Sequence, residues 1–410
     1  MLCHRGTDGD SHMRRIGPLV LAALIVGVFA AGPEASAQSC ENTSTGLVPL
    51  TDLTAGTYLG EPGGLYPDGS NELPVEHLTL GLAQAELVVP RNAMGVPDSA
   101  GLIGMISIGV SNTFLEFNAF LDLLATTGDV NPRLVVLNGA QGSRALEAWA
   151  EAPDGNPWRN LEHDLERAGL TAQQVQVAWV KLPPRARGTV SLDSVEPELA
   201  DMRTVLNIAH DRYPNLRLAY LSSRIYAHYS PGADAEPKAY QNGFAVKWLI
   251  EEQLEGNPQL NADPAAGPVM APWIAWGPYL WSDGTVGRDD GLVYECSDLG
   301  EDGIHPGPGA SDKVARLLYD HLASHPTSRS WFVAAESTDE TVASTVRAQT
   351  PTVATPVDSS AAASGSEEAI AETSLTDEDR SPGLLVGVAA LGVLIGIATG
   401  SLYERRQLVG

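Results

Sequence analysis

The sequence predicts an α/β fold, a three-layer α/β/α sandwich built on a mostly parallel sheet. Two observations carry that reading. Short apolar runs rich in Ile, Val and Leu, such as IGMISIG and LVVL, recur through the middle of the chain. Amphipathic stretches of helical length separate them. This alternation is the pattern of βαβ units, whose parallel strands are covered by helices on both faces.

The elements follow in order. Residues up to Leu87 are rich in Gly and Pro and read as irregular. Gly101 to Val110 is the first strand, and Ser111 to Thr126 the helix after it. Pro132 to Leu137 holds the second strand, while Arg144 to Ala150 and Trp158 to Ala168 carry the next helical signal. VQVAWV, Val175 to Val180, is the third strand, and Leu192 to Arg212 a long helix. LRLAYL, Leu216 to Leu221, is the fourth strand; the helix Phe244 to Gln253 follows, with Lys247 on its surface. Ala271 to Leu280 supplies a last strand and Ala310 to Ser324 a closing helix. Ligands of such a sheet sit beyond the carboxyl ends of its strands, so the polar residues there carry the interest.

The two ends read differently from the middle. Met13-Arg14-Arg15, the apolar run Ile16 to Ala31 and the mostly small residues Glu34-Ala35-Ser36-Ala37 form an export signal cleaved before Gln38. Residues 1–37 are thus a leader, and residues 38–333 are enough for one large core. Residues 334–381 are Thr, Ser, Ala, Val and acidic side chains with no aromatic, a stalk that cannot offset its ordering entropy by burial. Within 382–403, Gly383 to Tyr403 runs for 21 residues without a charge. About 20 residues at roughly 1.5 Å each cross about 30 Å of hydrocarbon, so this is a membrane span. Arg405 and Arg406, in the tail 404–410, favour the cytoplasmic side. The expectation is an exported domain outside the cell membrane, held by one C-terminal helix.

Composition excludes some partners. Only 25 Lys and Arg face 51 Asp and Glu, a net charge of -26, which argues against nucleic acid, whose phosphates need clustered cations. Of three cysteines, Cys3 falls in the leader, leaving Cys40 and Cys296 to pair as a disulfide outside the cell. No Cys/His grouping has metal-ligand spacing, so no metal is expected.

Three places can carry chemistry. Ser111 follows the first strand and opens a helix, where its Oγ is exposed at the sheet edge; a serine there is also an ordinary N-cap. Asn138-Gly139-Ala140-Gln141-Gly142 follows the second strand, and its glycines let backbone N–H groups approach a ligand, or simply make a turn. Asp302 and His305 lie three apart in EDGIHPGPG before the closing helix. A nucleophilic serine needs an imidazole to take its proton, and the imidazole needs a carboxylate to fix its tautomer. Arg224 and Tyr226 follow the fourth strand, and the loop Trp276 to Gly291 contains Trp276 and Trp281. These aromatics would stack on a sugar ring, or else complete the core.

With these blocks the chain resembles the SGNH (GDSL-type) hydrolases, over roughly Leu102 to Ala323. The resemblance implies a flavodoxin-like sandwich that cleaves esters, often of lipids or acetylated sugars, without a cofactor. Gly109-Val110-Ser111 matches the Gly-Asp-Ser block, Gly142 the oxyanion-hole glycine, and Asp302, His305 and Pro306 the Asp-x-x-His-Pro block. It implies Ser111 as nucleophile, His305 as base, Asp302 as its orienting partner, and the N–H groups of Ser111 and Gly142 as oxyanion donors. Two departures stand out: Val110 replaces the Asp, and KLPP follows the third strand where Gly-x-Asn-Asp is expected. Asn112 or Lys181 is then left to replace the missing Asn donor. The expected activity is hydrolysis of carboxylic esters, on a small ester or an acylated glycan or lipid of the cell envelope. The alternative is a non-catalytic glycan- or surface-binding module on the same fold.

Overall fold

A computed structural model describes residues 38–184, 192, 195–231 and 235–334. The leader (1–37), residues 335–381 of the stalk, the apolar span 382–403 and the tail 404–410 lie outside the described residues. Among the described residues no helix is long and apolar enough to cross a membrane.

The N-terminal region is more regular than its composition predicts. A short helix α1 (Leu50–Leu53) and a hairpin of β1 (Thr57–Tyr58) and β2 (Glu61–Pro62) precede α2 (Val75–Ala85). Gly81 interrupts the apolar pattern of α2 and hides it in the sequence. The glycine is there for packing: a Cβ at Gly81 would sit 2.4 Å from the Trp273 ring.

Five parallel strands form the main sheet, β3 (Ile103–Gly109), β4 (Leu134–Leu137), β5 (Val175–Lys181), β6 (Leu218–Leu221) and β7 (Trp273–Trp276). Their spatial order is β4-β3-β5-β6-β7, so the second strand lies outside the first and the rest continue on the other side. That is the flavodoxin-like doubly wound order, and its switch point falls between β3 and β5. The predicted fold class is the one observed. The last strand is shorter than expected, because Gly277 and Pro278 end it after Trp276.

Helices cover both faces. On one side α3 (Ser111–Thr126) packs on α8 (Pro308–Ser324), with α2 beside them. Where these helices meet the sheet, Phe117 stacks on Trp179 and His77 on Trp273. On the other side, α4 (Leu146–Ala150) packs on α5 (Asn156–Arg167) and α6 (Glu196–Arg212), and α6 on α7 (Lys238–Leu254). Every residue of β3 and β5 is buried, which their near-continuous apolar runs require. Polar members of β5 are satisfied: Gln176 Oε1 accepts from the Val89 N–H and Arg91 Nε, at 3.0 and 3.1 Å.

Lys247 corrects a sequence expectation. It is buried rather than on the helix surface, and its ammonium donates to the Pro62 and Gly63 carbonyls at 2.8 and 2.7 Å. The long side chain carries its charge inward to carbonyls that the small hairpin leaves without strand partners.

Candidate active site

Ser111 is the first residue of α3, at the carboxyl end of β3 and beside the switch point. Gly109 makes the tight junction possible: a Cβ there would sit 2.3 Å from Thr113 Oγ1. Thr113 Oγ1 in turn donates to the Lys181 carbonyl at 2.6 Å, tying the first turn of the helix to the neighbouring strand.

His305 reaches this point from the loop before α8. Ser111 Oγ and His305 Nε2 are 2.8 Å apart, and His305 Nδ1 lies 2.5 Å from Asp302 Oδ2. An ionised carboxylate only accepts, so Nδ1 carries the proton and Nε2 is left to accept from the serine hydroxyl. Asp302 Oδ1 also accepts the N–H groups of Ile304 and His305, at 3.0 and 2.9 Å. Partial burial pushes the Asp302 carboxyl up, but the His305 ring and those two N–H groups outweigh it and hold it well below the usual carboxylate range. The His305 and Asp302 side chains are 43% and 48% exposed, so the relay is open to solvent.

The loop after β4 lies alongside. Asn138 accepts from Ser107 Oγ at 2.8 Å and donates to the Phe114 carbonyl at 2.9 Å, while the Gln141 N–H donates to the Gly109 carbonyl at 3.0 Å. Gly142, the next residue, is exposed and has open space around it, so a close approach to a ligand, not crowding, is what a glycine permits here. The first N–H groups of α3 add further donors and the positive end of the helix dipole.

Several expectations are corrected. Lys181 is not a free cation at the reaction centre: it is buried, its ammonium held by both oxygens of Glu116 in the second turn of α3. Burial pushes Glu116 up and Lys181 down, each toward its neutral form, and their contact pulls both back. Asn112 spends its amide on the Ile304 carbonyl, at 2.9 Å, and so clamps the histidine loop to α3. Tyr226, Trp276 and Trp281 offer no open ring face for a sugar, because all three are buried. Their polar atoms are used internally, toward the Asn42 carbonyl, the Leu65 carbonyl and Glu236 Oε1. Arg224 is only partly buried, and its charge faces Glu236, Glu116 and Glu198.

Sequence reading missed Glu116, Glu198 and Glu236. Burial raises both Glu198 and Glu236 to about 7, with Asn242 bonded to the first and Trp281, Ala227 and Tyr240 to the second. One signal was available, since a lysine ending the apolar run VQVAWVK demands a buried acid. The disulfide between Cys40 and Cys296 is formed, as expected. Among the described residues no cluster of His, Cys, Asp and Glu is arranged to hold a metal.

No family model matches the chain. No curated protein matches it either. Solved structures do resemble it. One is the periplasmic domain of a lipopolysaccharide acetyltransferase from Salmonella ser. Paratyphi A, 10% identical over 54% of this chain and 83% of that one, TM-score 0.29. Another is the C-terminal catalytic domain of peptidoglycan O-acetyltransferase A from Streptococcus pneumoniae, at 12%, 57%, 99% and 0.28. A third is a catalytic mutant of an acetylxylan esterase from Geobacillus stearothermophilus, at 15%, 53%, 93% and 0.30. Identities and TM-scores this low carry no function across to this chain.

Proposed function

We propose that the protein is a serine-dependent hydrolase of the SGNH type, cleaving carboxylic esters through Ser111, His305 and Asp302. The observation that carries this is the 2.8 Å contact of Ser111 Oγ with His305 Nε2, with Asp302 on the other ring nitrogen. Ser111 Oγ attacks the ester carbonyl as its proton passes to His305, and Asp302 stabilises the resulting imidazolium. The N–H groups of Ser111 and Gly142 receive the oxyanion. Collapse expels the alcohol, which takes the proton from His305. Water then attacks the acyl-enzyme, giving its proton to the same ring, and the acid leaves with Ser111 restored.

Acyl groups on cell-envelope sugars or lipids are the substrate class we favour. The open position of the relay supports it, since a group displayed on a bulky molecule can reach Ser111 without entering a tunnel. Export of the domain and its anchoring by Gly383–Tyr403 belong to the same proposal and rest on the apolar segments of the sequence.

The test is turnover of 4-nitrophenyl acetate by the purified full-length protein beside Ser111→Ala, with a fluorophosphonate probe as a second readout. Serine-dependent turnover and labelling of Ser111 are expected. Loss of neither activity nor labelling in the variant would remove Ser111 from the mechanism. A wild-type protein that neither turns over nor labels would move the weight to a binding module.

A further inference from the structure

The N-terminal segment 38–46 is laid along the back of the histidine loop. Its first N–H, of Gln38, donates to the Glu301 carbonyl at 2.8 Å, next to Asp302. The Ser39 N–H donates to the Tyr229 carbonyl at 2.7 Å. That same stretch of backbone is the floor of the loop: Gly303, at φ +65°, lies against it so closely that a Cβ would be 2.3 Å from the Tyr229 carbonyl carbon. Cys40 is then bonded to Cys296, at the start of the loop's approach, across 256 residues of chain. Farther along, Asn42 Nδ2 donates to the His228 carbonyl at 2.9 Å, and its own carbonyl accepts Tyr226 OH at 2.6 Å.

The far end of this segment is anchored independently. Asp283 is buried and accepts from Ser44 Oγ, the Thr45 N–H, Thr45 Oγ1 and the Gly46 N–H, at 2.5 to 3.2 Å. Opening the disulfide therefore leaves the end that touches the loop held by hydrogen bonds alone, while the other end stays fixed. From the side of α3, Asn112 clamps the loop at Ile304 whatever the state of the disulfide.

We propose that segment 38–46, closed by Cys40–Cys296, is a positioning strap for the Asp302–His305 relay, which makes turnover sensitive to thiol reductants. The proposal rests on the serine-hydrolase reading above. With a dithiol such as dithiothreitol, one thiolate attacks a cystine sulfur and the S–S bond breaks into a mixed disulfide. The second thiolate then displaces the remaining protein sulfur. Two electrons and two protons pass to Cys40 and Cys296, and the dithiol leaves as its cyclic disulfide.

The experiment compares the full-length protein oxidised, reduced by dithiothreitol and reoxidised, beside Cys40→Ser and Asn42→Ala. Asn42→Ala removes the side-chain donor to the His228 carbonyl and leaves the strap's backbone in place, so it decides the matter if Cys40→Ser does not fold. Turnover of 4-nitrophenyl acetate is read as kcat and KM. The low-field proton resonance of His305 Nδ1–H, assigned by its loss in His305→Ala, reports the relay without any catalysis. Reduction is expected to lower kcat about ten- to hundredfold, as small misplacements of a catalytic group do, with KM nearly unchanged. The resonance should shift or broaden, and reoxidation should restore both. Asn42→Ala should cost about two- to tenfold. Unchanged kcat and an unchanged resonance, with the Cys40–Cys296 bond shown to be open by peptide mapping, would overturn the strap alone. If the wild type shows no serine-dependent turnover, the hydrolase reading falls and the resonance by itself decides whether the strap holds the relay.

Discussion

Replacing Lys181 by methionine tests how the ground beneath the nucleophile is held. The ammonium lies 2.6 Å from Glu116 Oε2, and both side chains are buried. At an effective dielectric of about 20, two unit charges at that separation attract by roughly 6 kcal/mol, most of which offsets their desolvation. Without the lysine, Glu116 keeps its place by taking a proton. An unfolded glutamate titrates near 4.3, and each pH unit is about 1.4 kcal/mol, so holding that proton at pH 7 costs about 4 kcal/mol. The sign is fixed: the folded variant binds the extra proton, so its deficit grows as pH rises above about 4.3 and shrinks toward pH 5. Chemical denaturation followed by fluorescence, with Trp179 two residues from the substitution, measures it. Lys181→Met should lose about 3–5 kcal/mol at pH 7, and Glu116→Leu/Lys181→Met should lie within about 1 kcal/mol of wild type. A single-variant cost below about 1 kcal/mol, or one that does not fall with pH, would refute this account and show the carboxylate held by Arg224 instead.

Two other outcomes are expected. Asp302→Asn keeps the loop's shape but presents the wrong hydrogen-bonding partner to Nδ1, so kcat should fall about 10⁴-fold with little change in KM, read by steady-state kinetics. At the C-terminal end of α8, His321 and His325 stack on one another beside Tyr220, and desolvation lowers them to about 3 and about 4. Their folded forms stay neutral where the unfolded chain takes up protons, so they withdraw stability as pH falls from about 6.5 toward 4. Glu198 and Glu236, raised to about 7, act in the opposite sense between about 4.5 and 7. His321→Phe removes one proton site, and its stability relative to wild type should improve by about 1.4 kcal/mol per pH unit on acidification from about pH 6 toward 4. Urea titrations at several pH values check the slope, in which any constant packing cost cancels.

The relay residues were legible because they combine a residue type with a place. Ser111 follows a strand and opens a helix, and Asp302 and His305 share one loop, so spacing along the chain stands in for spacing in the fold. The strands were legible for the same reason, since each apolar run announces a buried strand. Facing direction was not. Trp281 and Tyr226 sit in loops, and Trp276 at the last position of β7, where period-2 and period-3.6 patterns both fail and nothing local says whether a ring points in or out. Partnership across the fold was equally hidden: Glu116 is 65 residues from Lys181, and Cys40 is 256 from Cys296. The cysteines were paired by elimination, whereas Glu116 was one of many acids. In α2, the glycine that makes room for Trp273 is also what disguised the helix.

The helix that opens at Ser111 gives this molecule opposite fields near and far. Ser111 is the first residue of α3, so a positive dipole end lies beside the Ser111–His305 contact. The sequence as a whole carries a net charge of -26. An acidic polymer approaching from solution is therefore repelled at a distance and welcomed only on contact. Dissolved salt screens over about 10 Å at 0.1 M, which suppresses the distant repulsion and leaves the contact field largely intact. For an acidic polymer, brine would thus lower the barrier to encounter, where a cationic enzyme would lose its steering.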